Sequence, residues 1–231
     1  MTFGSTFGRV FSPTFQPKST AAAASGWWLA GGIAAANCIA AYQPKGAASL
    51  AASYVNLANP GTYDATEGTA PTFDTSIGWT FSAASNQYLR TGVTPENDQT
   101  WSMIARFSGH TTNGQAMCGS IALNGAVGFR MFPRRGVANN MVWNNGTQIA
   151  SGERQSEGIM AIAGANAFFD GTSYGTTGGW SGATPIETYI GAQNFGGSPD
   201  RYYTGVIEAL AIYDVDITSY IASLGAAINL L

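Results

Sequence analysis

A segment near the C-terminus, Tyr202–Leu224, most constrains the fold of this 231-residue chain. Its first part, Tyr202–Tyr213, has apolar side chains at both odd and even positions, which is typical of a strand covered on both faces. Asp216 is predicted to cap the N-terminus of a helix, because apolar residues follow it at helical spacing. Gly225 predicts the end of that helix. A central strand followed by a short helix specifies an architecture and no chemistry.

The rest of the chain predicts many short strands. A short strand at Glu187–Ala192 and a loop at Gln193–Asp200 precede the central strand. Hairpin turns are indicated at Asn144-Asn145-Gly146 and Asp170-Gly171. Helix-forming residues with Leu50, Tyr54 and Leu57 at near-helical spacing predict one short helix. We expect an antiparallel β-sandwich, with further strands at Cys38–Tyr42, Gly78–Ser82, Gln87–Thr91, Thr100–Ser108, Gln115–Leu123, Val127–Phe132, Asn139–Trp143, Gly158–Ala163 and Asn166–Phe169.

The composition supports a turn-rich β protein. The chain has 30 glycines and 12% aromatic residues, whereas charged residues make up only 10%, far below the usual quarter. Either neighbouring subunits cover much of the surface, or Ser, Thr, Asn and Gly form it. The net charge of −3 gives no reason to expect nucleic acid as a partner.

Residues 21–42 carry no charge, a property shared by transmembrane segments and signal peptides. Their Ala and Gly content and the polar Asn37 give a weak drive for insertion. We expect neither a transmembrane segment nor a signal peptide. Cys38 and Cys118 are too few for a disulfide framework or a metal cluster, and the sequence leaves open whether they pair.

Residues 1–25 form a distinct N-terminal arm, and residues 26–231 are expected to form one domain. Phenylalanine recurs every four residues in the arm, but glycines and a proline disfavour a helix there. The arm is therefore predicted to be extended, packing on its own domain or anchoring it to another subunit through Phe3, Phe7, Phe11 and Phe15.

Several segments between residues 71 and 224 resemble the laminin-G-like branch of the concanavalin A-type lectin/glucanase superfamily. They are PTFDTSIGWTFSAASNQYLRTG, TWSMIARFS, AFFDGTSYG and YIGAQNFGGSPDRYYTGVIEALAIYD. The resemblance implies an all-β, antiparallel jelly-roll sandwich. The segment at 38–65, CIAAYQPKGAASLAASYVNLANPGTYDA, resembles what precedes such domains in bacteriophage and prophage proteins. The superfamily hosts lectins, glycosidases and virion proteins, so its fold implies no single function.

Catalytic patterns are absent from the sequence. Glycosidases of the superfamily carry paired carboxylates on one strand, and none of the six glutamates here lies in such a motif. The acidic pair Asp214 and Asp216 lies where helix capping explains it, and Glu153 and Glu157 flank a polar loop. The single histidine, His110, is predicted to be a surface turn residue. The sequence therefore predicts a protein without enzymatic activity.

Binding residues can be nominated only from loop aromatics and polar groups. Exposed rings beside polar side chains could contact a glycan, and the candidates are Tyr174, Trp180, Asn194 and Phe195. The same aromatics could equally pack under their own loops. The basic cluster Arg130, Arg134 and Arg135 is expected to be solvated, although it could meet an anionic sugar or a neighbouring subunit.

Calcium is a weaker expectation that the resemblance suggests. Laminin-G-like domains often hold Ca²⁺, and loop oxygens are present at Asp170, Asn194 and Asp200. No other cofactor is expected.

Three functions follow from these patterns. The first is a structural or decoration protein of a phage-like virion, assembled in the bacterial cytoplasm as a homo-oligomer with other viral subunits. The second is a carbohydrate-binding module for host glycans. A glycosidase is the third and is least favoured by the acidic residues.

Overall fold

The computed structural model describes residue 1 and residues 26–96, 100–123, 128–135, 140–145, 147–177 and 186–231. The arm residues Phe3, Phe7, Phe11 and Phe15 lie outside these ranges. In the first half of the chain the strands are β1 (Cys38–Tyr42), β2 (Thr66–Thr69), β3 (Thr72–Asp74), β4 (Gly78–Phe81), β5 (Tyr88–Arg90), β6 (Ser102–Ser108) and β7 (Cys118–Ile121).

Further strands lie in the second half of the chain. The strands are β8 (Gly128–Arg135), β9 (Asn140–Asn145), β10 (Thr147–Ser151), β11 (Gly158–Ala163), β12 (Asn166–Phe169), β13 (Thr172–Thr176), β14 (Tyr189–Ile190), β15 (Gln193–Phe195), β16 (Ser198–Asp200) and β17 (Gly205–Tyr213). The helices are α1 (Leu50–Ser53) and α2 (Ile221–Ile228), with 3-10 turns at Trp27–Leu29, Ala35–Asn37, Ala83–Ser85 and Thr218–Tyr220.

The strands form two sheets that pack face to face, which confirms the predicted antiparallel sandwich. The first sheet has the order β13-β12-β11-β6-β17-β4-β3, and β1 also pairs with β17. The second has the order β10-β9-β8-β7-β14-β5-β2, with β15 parallel to β7 and paired with β16. Between the sheets lies a core that includes Trp79, Phe129, Trp143 and Leu210. Alternate residues of each strand therefore point away from that core.

The central position predicted for β17 is confirmed, and a β-bulge refines it. Its pairing with β6 shifts register between Ile207 and Ala209. The bulge reverses the alternation, so Ile207 and Leu210 both face the core between the sheets. Ala209 and Tyr213 face the other way, into a second apolar cluster.

Helix α2 covers this outer face of the first sheet. Its buried residues Ile221, Leu224 and Ile228 pack with Ala209 and Trp27 in the second cluster. Burial of each large aliphatic side chain stabilises the fold by roughly 1.5–3 kcal/mol. Two sequence-based expectations about this helix are wrong. Asp216 Oδ1 accepts a bond from Thr218 N (2.8 Å), but a 3-10 turn intervenes before the α-helix starts at Ile221.

The predicted helix end at Gly225 is also wrong, because the helix runs on to Ile228. Gly225 has a helical backbone there, and a Cβ added to it would meet nothing within 4 Å. The apolar anchor Ile228, one turn further along, is fully buried and explains the extension.

Other elements differ from the prediction in local ways. The expected loop Gln193–Asp200 is a short hairpin of β15 and β16. The central strand starts at Gly205 rather than Tyr202. The expected helix around Leu50 is a single turn capped by Ser49, whose Oγ accepts a bond from Ala52 N. The hairpin turn at Asp170-Gly171 is confirmed, and both residues have positive φ (44° and 78°).

His110 is buried, contrary to the predicted surface position. Its ring stacks on Tyr203 with centroids 4.6 Å apart, and Nδ1 lies 2.8 Å from Thr204 O. Burial lowers the pKa of His110 to about 4, so the ring is neutral at pH 7. Cys38 and Cys118 are both buried and free.

The described helices are short. Within the described ranges, none is long and apolar enough to cross a membrane.

Candidate functional site

The outer face of the second sheet carries a continuous row of polar and aromatic residues. Core residues such as Leu89, Phe129 and Trp143 point inward, so their neighbours along each strand point outward. Strand pairing then aligns one outward residue from each of seven neighbouring strands. The row, defined here as the transverse row, consists of Thr66, Arg90, Tyr189, Gly119, Arg130, Asn144 and Gln148.

The transverse row crosses the second sheet from edge to edge, and its two ends are open to a ligand. Neighbouring strands lie about 4.8 Å apart, so seven strands span roughly 29 Å. Its ends at Thr66 and Gln148 are exposed, whereas Tyr189 and Arg130 near its middle are 5% and 6% exposed.

Gly119 at the centre of the row allows β7 and β8 to approach closely. Its φ is +136°, and an added Cβ would lie 2.2 Å from Arg130 Cβ and 2.4 Å from Phe129 O. Any side chain at this position would collide with the backbone of β8. Gly119 therefore contributes no side chain between Tyr189 and Arg130 in the row.

Three tyrosines form an aromatic cluster beside the row. The Tyr88 ring lies 4.9 Å from the Tyr189 ring and 6.1 Å from the Tyr202 ring, measured between centroids. Tyr88 also packs over Gly68, where an added Cβ would meet its ring at 2.0 Å. Tyr88 and Tyr202 stay partly exposed. Desolvation raises the pKa of Tyr189 and of Tyr202, so these two side chains keep their hydroxyl protons at neutral pH.

A shallow depression of about 450 Å³ adjoins the tyrosine cluster. Arg90 and Glu187 lie on its wall and form an ion pair at 2.6 Å. The bond to Glu187 raises the pKa of Arg90. Glu187 Oε2 also accepts a bond from Gly92 N (2.8 Å), which fixes the carboxylate in place. Arg90 remains half exposed, with donors available to a ligand.

At the other side of Gly119, the row continues into a hydrogen-bonded arginine. Arg130 Nε donates to Asn144 Oδ1 (3.1 Å), and Nη1 donates to Gln193 Oε1 (2.6 Å). Gln193 Nε2 donates in turn to Asp200 Oδ2 (2.8 Å). Arg130 is therefore buried and bonded, contrary to the solvated position expected for the basic cluster.

The predicted glycan residues do not come together in the structure. Tyr174 lies on β13 of the first sheet and stacks on Trp143, with centroids 5.4 Å apart. Asn194 and Phe195 lie on β15 of the second sheet, and β7 and β8 separate them from β9, which carries Trp143. Trp180 lies outside the described residues.

The side chain of Asn194 forms hydrogen bonds that stabilise the sheet. It is 2% exposed, its Nδ2 donates to Glu187 O (2.9 Å), and its Oδ1 accepts from Gly197 N (2.8 Å). These bonds hold the β15–β16 hairpin against the segment that carries Glu187. Phe195 is 36% exposed at the tip of the same hairpin.

The oxygens considered for calcium accept bonds from protein groups on separate elements. Asp170 Oδ1 accepts from Ile159 N (2.8 Å), and Asp200 Oδ1 accepts from Arg201 N (2.8 Å). In the ranges that the structure describes, no group of three His, Cys, Asp or Glu residues is arranged to hold a metal ion. Calcium binding stays a prediction.

A larger groove of about 760 Å³ lies on the opposite side, between α2 and the first sheet. Its central carboxylate, Glu208, is in the β-bulge and pairs with Lys45 Nζ (2.9 Å) and Arg106 Nε (3.1 Å). Arg106 Nη1 also donates to Ile228 O (2.9 Å), which ties β6 to the end of α2. These ion pairs and the bond to Ile228 O join structural elements, so the groove is a weaker candidate than the second sheet.

Sequence reasoning missed the residues that the second sheet brings together, Arg90, Tyr88, Tyr189, Tyr202, Asn144, Gln148 and Gln193. Within one strand a signal existed, since Tyr88 and Arg90 flank the apolar Leu89 and so share a face. The register that aligns Arg90 with Tyr189 joins segments 99 residues apart and has no local signal.

Comparison with known proteins shows similarity in structure only. No protein-family model matches the sequence, and no curated protein matches it. Domain 4 of the extracellular arabinanase AbnA from Geobacillus stearothermophilus, solved with arabinotriose, is 14% identical with a TM-score of 0.51. The alignment covers 82% of this chain and 98% of that domain.

Trypanosoma rangeli sialidase, solved with 2,3-difluorosialic acid, is 11% identical with a TM-score of 0.56. That alignment covers 84% of this chain but only 33% of the sialidase, so this chain corresponds to about a third of that enzyme's length. At such identities the similarity shows the fold alone, a β-sandwich.

Proposed function

We propose that this chain is a carbohydrate-binding module and that its saccharide site is the outer face of the second sheet. The observation that carries the proposal is the transverse row with its tyrosine cluster. Sugars present apolar C–H faces and many hydroxyls, so their binding sites combine aromatic rings with fixed donors and acceptors. Tyr88, Tyr202 and Arg90 supply both kinds of group side by side.

The structural neighbours support the choice of ligand class. The arabinanase domain aligned over nearly its whole length was solved with arabinotriose. This neighbour supports a saccharide as the ligand class for this chain.

We propose further that the module has no hydrolytic activity of its own. Glycoside hydrolysis uses two carboxyl groups, one of them able to donate a proton. Among the described residues, Glu187 is the one carboxylate that lines the depression beside the tyrosine cluster, and it forms an ion pair with Arg90. A single carboxylate does not supply the pair of carboxyl groups that hydrolysis uses.

Binding to an array of neutral and acidic glycans, with arabinotriose as the first soluble probe, tests the proposal. We expect binding by the unmodified chain without release of reducing ends. Tyr88→Ala and Tyr202→Ala should each weaken it about threefold to tenfold, the effect of losing one aromatic contact.

Tyr220→Ala is the matched control, because Tyr220 lies beside α2 on the other sheet and should leave affinity unchanged. If no glycan binds, the proposed function is wrong. If a glycan binds and Tyr88→Ala and Tyr202→Ala have no effect, the site is elsewhere.

The phage-like assembly role predicted from the sequence depends on the arm at residues 1–25. Residues 2–25 lie outside the described ranges, so this role and the subunit partners stay predictions.

A further inference from the structure

Building on the proposed saccharide site, we propose that the Arg130 half of the transverse row selects saccharides that carry a carboxylate. Arg135 and Arg201 would contact the carboxylate, and Arg130 would lie beneath them. Arg201 has a 42% exposed side chain and Arg135 is half-buried, whereas Arg130 is 6% exposed.

The first support is an excess of positive charge. Three guanidinium groups, those of Arg130, Arg135 and Arg201, lie close enough to affect one another electrostatically. In the described part of the chain one carboxylate accompanies them, that of Asp200, whose Oδ2 lies a long 3.8 Å from Arg201 Nε. Three positive charges and one negative charge leave an excess of two.

Burial and the neighbouring positive charges destabilise the charged form of Arg130. Burial first, and then Arg135 and Arg201, lower the pKa of Arg130 to about 9. The group still carries its charge at neutral pH. Burial and repulsion from Arg201 also lower the pKa of Arg135. An added anion would relieve this repulsion, because an opposite charge stabilises each guanidinium.

The second support is that the arginines are held by neutral partners. Arg130 donates to the amides of Asn144 and Gln193, and Arg135 Nη1 donates to Gln148 Oε1 (2.6 Å). Among the described residues, neither Arg130 nor Arg135 forms an ion pair with a carboxylate. Their charge is therefore left for a ligand, although their positions are fixed.

The third support is geometric. Arg130 Cζ lies 5.2 Å and Arg135 Cζ 4.7 Å from the centroid of one ring, that of Phe132. Stacking on a common ring restricts both planar groups before a ligand arrives. Planar guanidinium groups match the two oxygens of a carboxylate, which a neutral sugar lacks.

A glycan array that pairs uronic-acid oligosaccharides with their carboxyl-reduced counterparts tests this inference. Titration calorimetry then measures the tightest pair at two salt concentrations. We expect the acidic member to bind at least about tenfold more tightly, since one charge-assisted hydrogen bond supplies a factor of this size. The difference in affinity between the acidic and the neutral member should shrink at high salt.

Arg135→Gln and Arg201→Gln should each lower affinity for the acidic member roughly tenfold and leave the neutral member unchanged. Arg154→Gln is the matched control, because Arg154 is exposed and has no part in the cluster. Melting temperatures establish that each variant is folded.

The outcomes separate the two proposals. If the members of each pair bind equally, or if the arginine variants weaken both equally, carboxylate selection is wrong and saccharide binding stands. Sulfated oligosaccharides on the same array provide a further comparison. If they bind more tightly than the uronic-acid members, the carboxylate assignment is wrong. If no glycan binds, the proposed function itself fails.

Discussion

Replacing Gly119 with alanine tests the close approach of strands on which the candidate site depends. The new Cβ would lie 2.4 Å from both Arg130 Cα and Phe129 O, backbone atoms of β8 that cannot rotate away. Relieving the contact means moving β8 against the ladder in which Gly119 pairs with Arg130. Overpacking of this kind costs about 1–3 kcal/mol. The glycine-type backbone, with φ +136°, adds about 1–3 kcal/mol.

We therefore expect Gly119→Ala to lower the free energy of unfolding by about 2–6 kcal/mol. Urea denaturation followed by tryptophan fluorescence measures it, since Trp79 and Trp143 are fully buried. The matched control is Gly171→Ala, where φ is +78° but an added Cβ meets nothing within 4 Å. It should lose about 1 kcal/mol, from backbone strain alone. Equal losses in the two variants would refute the close approach at Gly119.

Two further predictions concern the rest of the fold. His110 has a pKa of about 4 in the folded chain and 6.5 when exposed, so protonation favours the unfolded chain as pH falls between these values. Stability should drop by up to about 3 kcal/mol over this window. His110→Phe, compared by urea denaturation at several pH values, should flatten that drop, and an unchanged profile would contradict the burial. Gly225→Ala should raise the melting temperature, since the helix gains about 0.5–1 kcal/mol with no clash; a lower value would place the helix end at Gly225 after all.

Local patterns were sufficient to predict much of the fold. The strands Gly158–Ala163 and Asn166–Phe169 have the predicted bounds, and the Asp170-Gly171 turn follows them as expected. Alternation and turn chemistry act over a few residues, so they can be read from the sequence. The predicted helix end at Gly225 is wrong because it too rested on a local preference. Burial of Ile228, beyond the glycine, overrides that preference.

The candidate site could not be predicted in this way. Arg130 belongs to a sequence cluster that resembles a solvated surface, yet Asn144 and Gln193 from two other strands bury and bond it. His110 lies in a polar, glycine-containing segment, and its buried contacts with Tyr203 and Thr204 come from residues 93 and 94 positions away. Such environments arise from pairing between distant strands, which a single sequence does not encode locally.

Mapping a bound saccharide onto the two faces of the sandwich tests the central proposal most directly. Nuclear magnetic resonance titration with the tightest-binding array glycan would locate it. The proposal predicts that the largest chemical-shift changes occur at Tyr88, Arg90 and Gly119 on the second sheet. Changes confined to the groove beside α2, at Arg106, Ala222 and Asn229, would contradict it.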